Sequence, residues 1–272
     1  MSRSANPSSA SSSASPDRDA FSIFAAARDA GDAPALRTAA REFTFSELAR
    51  LTHDRLAVLE ADPATRRPWP VTGSNTLETV VDLYALFERG AAALMLHPRL
   101  TGPERAALLA LADAAGPLEC ADPAAVMYTS GTTGVPRAAV LGRGALYAAA
   151  RASEQNMGWQ EDDCWLLCMP LAHVGGLSIL TRCLAARRCV ALSQGFDAEG
   201  FPELVERERV TIASLVPTML ARVLDAHPGW RGAPWLRAIL LGNRSPSGYF
   251  YDWIVPRWGH LLRPLSWLPL LH

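Results

Sequence analysis

Apolar positions along the chain alternate between two rhythms, a three-to-four spacing that marks one face of a helix and short unbroken runs that suit buried strands. Phe21 to Ala30 has the helical spacing, and Glu42 to Phe45 is strand-like. Ser46 is placed to cap a helix from Glu47 to Leu59. Asp62 to Gly73 carries Pro63, Pro68 and Pro70 and is expected to be a loop. Thr76 to Glu88 presents Leu77, Val80, Val81, Tyr84, Leu86 and Phe87 as an amphipathic helix that stops at Gly90, and Ala91 to Leu96 follows as a buried strand. Thr101 to Ala115 suits a helix, Ala124 to Tyr128 a strand and Gly144 to Gln155 a helix. The same alternation continues through Cys164 to Met169, Ser178 to Ala186, Cys189 to Leu192, Pro202 to Glu208, Val210 to Val216, Pro217 to Ala226 and Leu236 to Leu241. Repeated βα succession predicts an α/β fold with mainly parallel sheets flanked by helices. In such folds ligands gather at the carboxyl ends of the strands.

Both ends of the chain depart from this rhythm. Residues 1 to 16 hold eight serines and no apolar core, so 1–20 reads as a disordered tail and not as a secretory signal. Asn243 to His272 holds four prolines and three tryptophans and does not read as a further βα unit. The expected division is therefore 1–20, 21–242 and 243–272.

Composition narrows the class of partner. Hydrophobic residues make up 49% and charged residues 19%, and 26 basic against 27 acidic side chains leave a net charge of −1. That balance argues against a nucleic-acid or anionic-membrane partner. No apolar run reaches the roughly 20 residues a membrane helix needs. The five cysteines show no metal-ligand spacing and are expected to be reduced and buried, in a soluble cytoplasmic protein. Every basic residue is an arginine; the sequence has no lysine.

Candidate chemistry is concentrated in Tyr128-Thr129-Ser130-Gly131-Thr132-Thr133-Gly134-Val135-Pro136-Arg137. Thr129 to Gly134 contains four hydroxyls and two glycines, and Arg137 follows as a fixed cation. Glycines let backbone N–H groups converge on an anion, hydroxyls add donors with little bulk, and a guanidinium satisfies two phosphate oxygens together. The order is not that of a Walker A loop. The plain alternative, an ordinary Ser/Thr/Gly turn after a strand, is weaker because ten positions are specified.

This stretch resembles the phosphate-binding signature of the adenylate-forming (AMP-binding) superfamily, with Arg137 where that signature usually has lysine. A guanidinium keeps the charge but is larger and planar. Met169 to Ser178 resembles a second core motif, with His173 at the position that faces the acyl and ATP site. Ser214 to Leu220 resembles the acyl-pocket segment, and Ala238 to Gly242 the strand leading to its glycine turn. Ser74 to Glu78 and Pro98 to Thr101 also fit. The wording is most like the o-succinylbenzoate-CoA ligase branch of menaquinone synthesis.

The resemblance implies a two-step reaction: adenylation of a small carboxylic acid by ATP with Mg²⁺, then transfer to coenzyme A. Residue by residue it implies nucleotide contacts at Thr129, Ser130, Gly131, Thr132, Thr133, Gly134 and Arg137. It implies acyl-substrate contacts at His173, Ser214, Pro217, Thr218 and Gly242, catalytic roles for Arg137 and His173, and no protein metal ligand. The superfamily's Thr-Glu and Thr-Gly-Asp segments have no counterpart, and its adenylation lysine has none in a chain without lysine. The chain is accordingly expected to be an incomplete adenylate-forming N-terminal domain. Its frame would leave the family's course near Gly242 by frameshift or early end, and part of the first subdomain between Thr101 and Tyr128 would be deleted. The alternative function is a catalytically inactive fragment or nucleotide-binding module. An uncovered sheet edge after the last strand would invite a partner chain or oligomer.

Overall fold

The computed structural model describes residues 16–129, 137–242 and 262–264. They form two sheets whose strands alternate with helices, the α/β architecture expected. The larger sheet contains β1 (Pro34–Arg37), β2 (Glu42–Thr44), β7 (Cys164–Leu167), β8 (Cys189–Leu192), β9 (Ile212–Leu215), β10 (Ala238–Leu241) and β11 (Leu262–Pro264). Its order is β11-β10-β9-β7-β8-β1-β2, and every pairing is parallel except β1 with β2. The smaller sheet has the order β3 (Trp69–Thr72), β4 (Ala93–Leu96), β5 (Pro123–Thr129), β6 (Arg137–Gly142), parallel but for β5 with β6.

The unbroken apolar runs are explained by burial of both faces of these strands. Trp165 and Leu167 of β7 face the core between the sheets, whereas Cys164, Leu166 and Cys168 face a second core. In β4, Ala93 and Met95 face the central core, and Leu94 and Leu96 face a third cluster under α5 (Gly102–Ala115). The central layer is supplied by α4 (Leu77–Arg89) and α7 (Val174–Ala186), which are buried almost all round. Flanking helices include α2 (Ile23–Ala30), α3 (Phe45–Val58), α6 (Arg143–Met157), α8 (Phe201–Arg207) and α9 (Pro217–Ala226); a five-residue α1 (Pro16–Ala20) precedes them. Four of the five cysteines are buried and all are free thiols. Among the described residues no helix is long and apolar enough to cross a membrane.

Several expectations are corrected. Thr44, not Ser46, caps α3: its side chain accepts from Glu47 N while Glu47 reaches back to the Thr44 N–H, the reciprocal capping box. The proline-rich segment contains β3. Pro70 has no N–H to give, and an edge strand tolerates that loss. β1 and β6 were not anticipated, because β1 is only four residues long and β6 is largely exposed and reads as loop. Within the aberrant-looking end, Leu262–Pro264 is a strand, too short to leave a period in the sequence. It pairs with β10 on the side where an uncovered edge was expected.

Candidate functional site

The carboxyl ends of both sheets meet at one rim, and glycines make the meeting possible. Gly73, just after β3, donates its N–H to Leu96 O at 2.9 Å and accepts from Ala172 N at 3.3 Å. A Cβ on Gly73 would lie 2.5 Å from the Ala172 nitrogen, so only glycine lets these two backbones touch. Gly176 plays the same part inside α7, where a Cβ would lie 2.3 Å from Pro170 O.

Asn75 fastens the seam. Its Nδ2 donates to Met169 O at 3.0 Å and Ser193 O at 2.9 Å, and its Oδ1 accepts from Leu171 N at 3.0 Å. One buried amide therefore joins the β3–α4 turn to the ends of β7 and β8, satisfying carbonyls that leave the sheet ladder.

His173 is the residue this seam presents. It caps α7 without a side-chain capping bond, which leaves the ring to the rim. The ring packs on His97, which directly follows β4, with centroids 5.2 Å apart and planes at 51°. Desolvation of the packed ring, then the like charge of His97, hold the His173 pKa below the ordinary 6.5. The lowered pKa favours the neutral imidazole of His173, which offers one donor and one acceptor nitrogen. His97 Nδ1 accepts from Arg99 N at 3.1 Å, which fixes the ring against the turn that follows β4.

The hydroxyl-rich loop leaves the same rim. Thr129 ends β5 and faces Arg137, the first residue of β6, across an antiparallel pair, so the seven residues between them are closed at their base. Met127 is level with Met95 in the parallel pairing of β5 with β4. Two residues further along each strand lie Thr129 and His97. Tyr128 holds β5 against α5 through its hydroxyl, which donates to Leu108 O at 2.9 Å. Ser130, Gly131, Thr132, Thr133 and Gly134 lie outside the described residues.

The acyl-pocket expectations divide. β9 lies next to β7 and β10 next to β9, so Pro217, Thr218 and Gly242 come off strand ends adjacent to the one that leads to His173. Thr218 is exposed in the first turn of α9, and Gly242 donates its N–H to Leu215 O at 2.9 Å. Ser214 departs from the expectation: it is 1% exposed, and its hydroxyl accepts from the buried Trp165 indole at 3.0 Å. Its position within the strand, not beyond it, turns it into the sheet.

Sequence reasoning missed His97 as part of the site. The signal was present, since it is the polar residue directly after the apolar run Ala91–Leu96. Among the described residues no group of three or more His, Cys, Asp or Glu side chains is placed to hold a metal ion.

The chain is similar to known proteins in family and in fold. Residues 115–264, more than half of the chain, match the family model described as AMP-binding enzyme. That match runs past Gly242, through the strand at Leu262–Pro264. A 2-succinylbenzoate–CoA ligase from Bacillus cereus is 40% identical over 118 residues, which are 43% of this chain and 24% of the relative. The matched stretch thus spans about a quarter of the length of that curated relative. The o-succinylbenzoate coenzyme A synthetase of Bacillus subtilis in complex with AMP is similar in structure, with a TM-score of 0.71 and 28% identity over 83% of this chain and 68% of that one. A structure of that synthetase in complex with ATP and magnesium ion gives a TM-score of 0.69 and 26% identity over 81% and 54%.

Proposed function

Because the chain belongs to the AMP-binding enzyme family, we propose that its rim holds the phosphates of ATP and a small carboxylic acid, as the nucleotide- and acid-binding part of an acid-CoA ligase. The observation that carries this reading is the convergence of the two sheets. The Thr129–Arg137 closure and the His97–His173 pair both stand where the parallel strands of the smaller sheet finish, the end at which ligands gather in such folds.

The chemistry asked of the site is the attack of a carboxylate oxygen on the α-phosphorus of ATP, with release of pyrophosphate and formation of an acyl-adenylate. The thiol of coenzyme A then displaces AMP. Negative charge grows on the phosphoryl oxygens in the first step, so fixed donors are the main requirement. In this proposal Thr129 to Gly134 supply amide and hydroxyl donors, and Arg137 supplies a planar cation for two phosphate oxygens. His173, held neutral, orients the acid by a hydrogen bond. Pro217, Thr218 and Gly242 border the acid, and the similarity to o-succinylbenzoate ligases favours an aromatic one. Mg²⁺ enters as the counter-ion of ATP, and the described residues add no cluster of ligands for it.

Isothermal titration of the chain with ATP tests the phosphate half of this reading. Arg137→Ala is expected to weaken ATP about tenfold or more, the ordinary cost of losing a charged donor. Unchanged affinity would exclude the loop as the nucleotide site. A second reading, nucleotide binding without turnover, is favoured by the absence of lysine from the sequence. ATP–pyrophosphate exchange with o-succinylbenzoate separates the two, because exchange requires adenylation by the chain itself.

A further inference from the structure

At the opposite, amino end of the smaller sheet lie two adjoining hollows of about 390 and 320 Å³ that share Arg18, Pro63 and Gly90. Five arginines and three carboxylates line them. Arg143, the first residue of α6, lines the larger hollow and is 2% exposed. Its Nε donates to Asp122 Oδ1 at 3.1 Å and its guanidinium stands over the Phe87 ring, 5.4 Å from the centroid, but the buried Nη2 has no hydrogen-bond partner. Arg89, in the same lining, donates Nη2 to Leu56 O at 2.7 Å and leaves a buried Nε without a partner. Glu88 does not meet this need, since its Oε1 already accepts from Ser22 Oγ at 2.8 Å and Phe24 N at 3.1 Å. Buried guanidinium donors without acceptors are costly, and a compact anion with several oxygens is the ligand that removes the cost.

We propose that this cavity binds a phosphate-class oxyanion, with Arg143 and Arg89 as its charged donors. It is separate from the nucleotide loop. β5 starts at Pro123, beside Asp122 in the lining of the smaller hollow, and ends at Thr129, a rise of about 20 Å. The same strand thus carries an anion site at each end. Burial lowers the Arg143 pKa, consistent with a desolvated charge that lacks full compensation.

The test uses inorganic phosphate as the probe, followed by calorimetry and thermal melting at constant ionic strength with chloride as the control. In an Arg137→Ala background, which weakens the nucleotide loop, phosphate is expected to bind saturably and to raise Tm. Arg143→Met is expected to lower phosphate affinity about tenfold or more. Should that variant fail to fold, Arg89→Gln, at a half-buried position, carries the same expectation. Phosphate binding that vanishes in Arg137→Ala, that survives both cavity substitutions, or that chloride reproduces would overturn the proposal.

Discussion

Asp163 and Arg237 stand at the amino ends of β7 and β10 in the larger sheet, and Asp122 and Arg143 stand at the amino end of the smaller one. Asp163 Oδ1 accepts from Thr211 Oγ and Arg237 Nε, each at 2.8 Å. Its Oδ2 accepts from Gln160 N at 2.8 Å and from Arg237 Nη2. Arg237 also donates Nη1 to Met157 O at 3.3 Å and Nη2 to Gly158 O at 2.8 Å. Asp122, by contrast, takes a single side-chain bond from Arg143, whose Nη2 is left over. Two pairs of the same chemical type therefore differ in completeness. The completed one clamps three strands together and needs nothing more, whereas the incomplete one leaves donors beside a hollow. The difference shows that a buried charge is informative through the bonds it lacks, not through its burial alone.

The largest effect is expected from opening the completed pair. Asp163→Ala leaves Arg237 without its counter-charge and should cost about 3–5 kcal/mol, read as a shift of the denaturant midpoint. The pair also predicts an acid dependence. Burial alone would raise the Asp163 carboxyl, but Arg237, the Gln160 N–H and Thr211 hold it below the usual 3.8. A depressed carboxyl adds stability above its unfolded pKa and loses it as the pH falls through the folded value. Asp163→Asn should therefore remove that part of the loss below about pH 4 seen in pH-resolved melts.

Next in size is the seam between the sheets. Gly73→Ala forces a Cβ onto the Ala172 backbone and should cost about 1–3 kcal/mol. Its distinguishing sign is a changed His97–His173 contact, visible as altered imidazole resonances in NMR. Ser214→Ala should cost about 1–2 kcal/mol, by stranding the Trp165 indole N–H, with ATP affinity unchanged. A loss of affinity for the carboxylic acid in that variant would restore Ser214 to the acyl pocket. The smallest expected effect is a titration: His97→Asn removes the like charge and should raise the His173 pKa toward 6.5, followed by NMR. An unmoved His173 would mean that desolvation alone sets its value.

Much of the fold was legible because strands such as β4, β7 and β10 are apolar at every position, and helices such as α4 end at glycines of left-handed backbone. Gly90, at φ 74°, is an example. The illegible elements were those at edges. β3 looks like a loop because of its prolines, and β6 because half of it meets solvent, yet β3 gains its bonds from β4 beyond α4, and β6 from β5 across the intervening loop. The motif residues Thr129, Arg137 and His173 were legible as residues at element boundaries: Thr129 ends β5, Arg137 begins β6 and His173 caps α7. Ser214 was misjudged because its spacing in the sequence does not reveal that Trp165, two strands' worth of chain away, already occupies its hydroxyl.

What the sequence determined alone was therefore local: the order of strands and helices, the hydroxyl and glycine loop, and the absence of lysine, all set by side-chain type and spacing. Tertiary structure decided which polar groups remain for a ligand. Asn75, Ser214 and Arg143 are each buried polar residues, and only the partners supplied by distant segments separate a fastener from a core bond and from an unfilled donor. Hydrogen-bond satisfaction is a property of three-dimensional neighbours, and a one-dimensional pattern does not contain it.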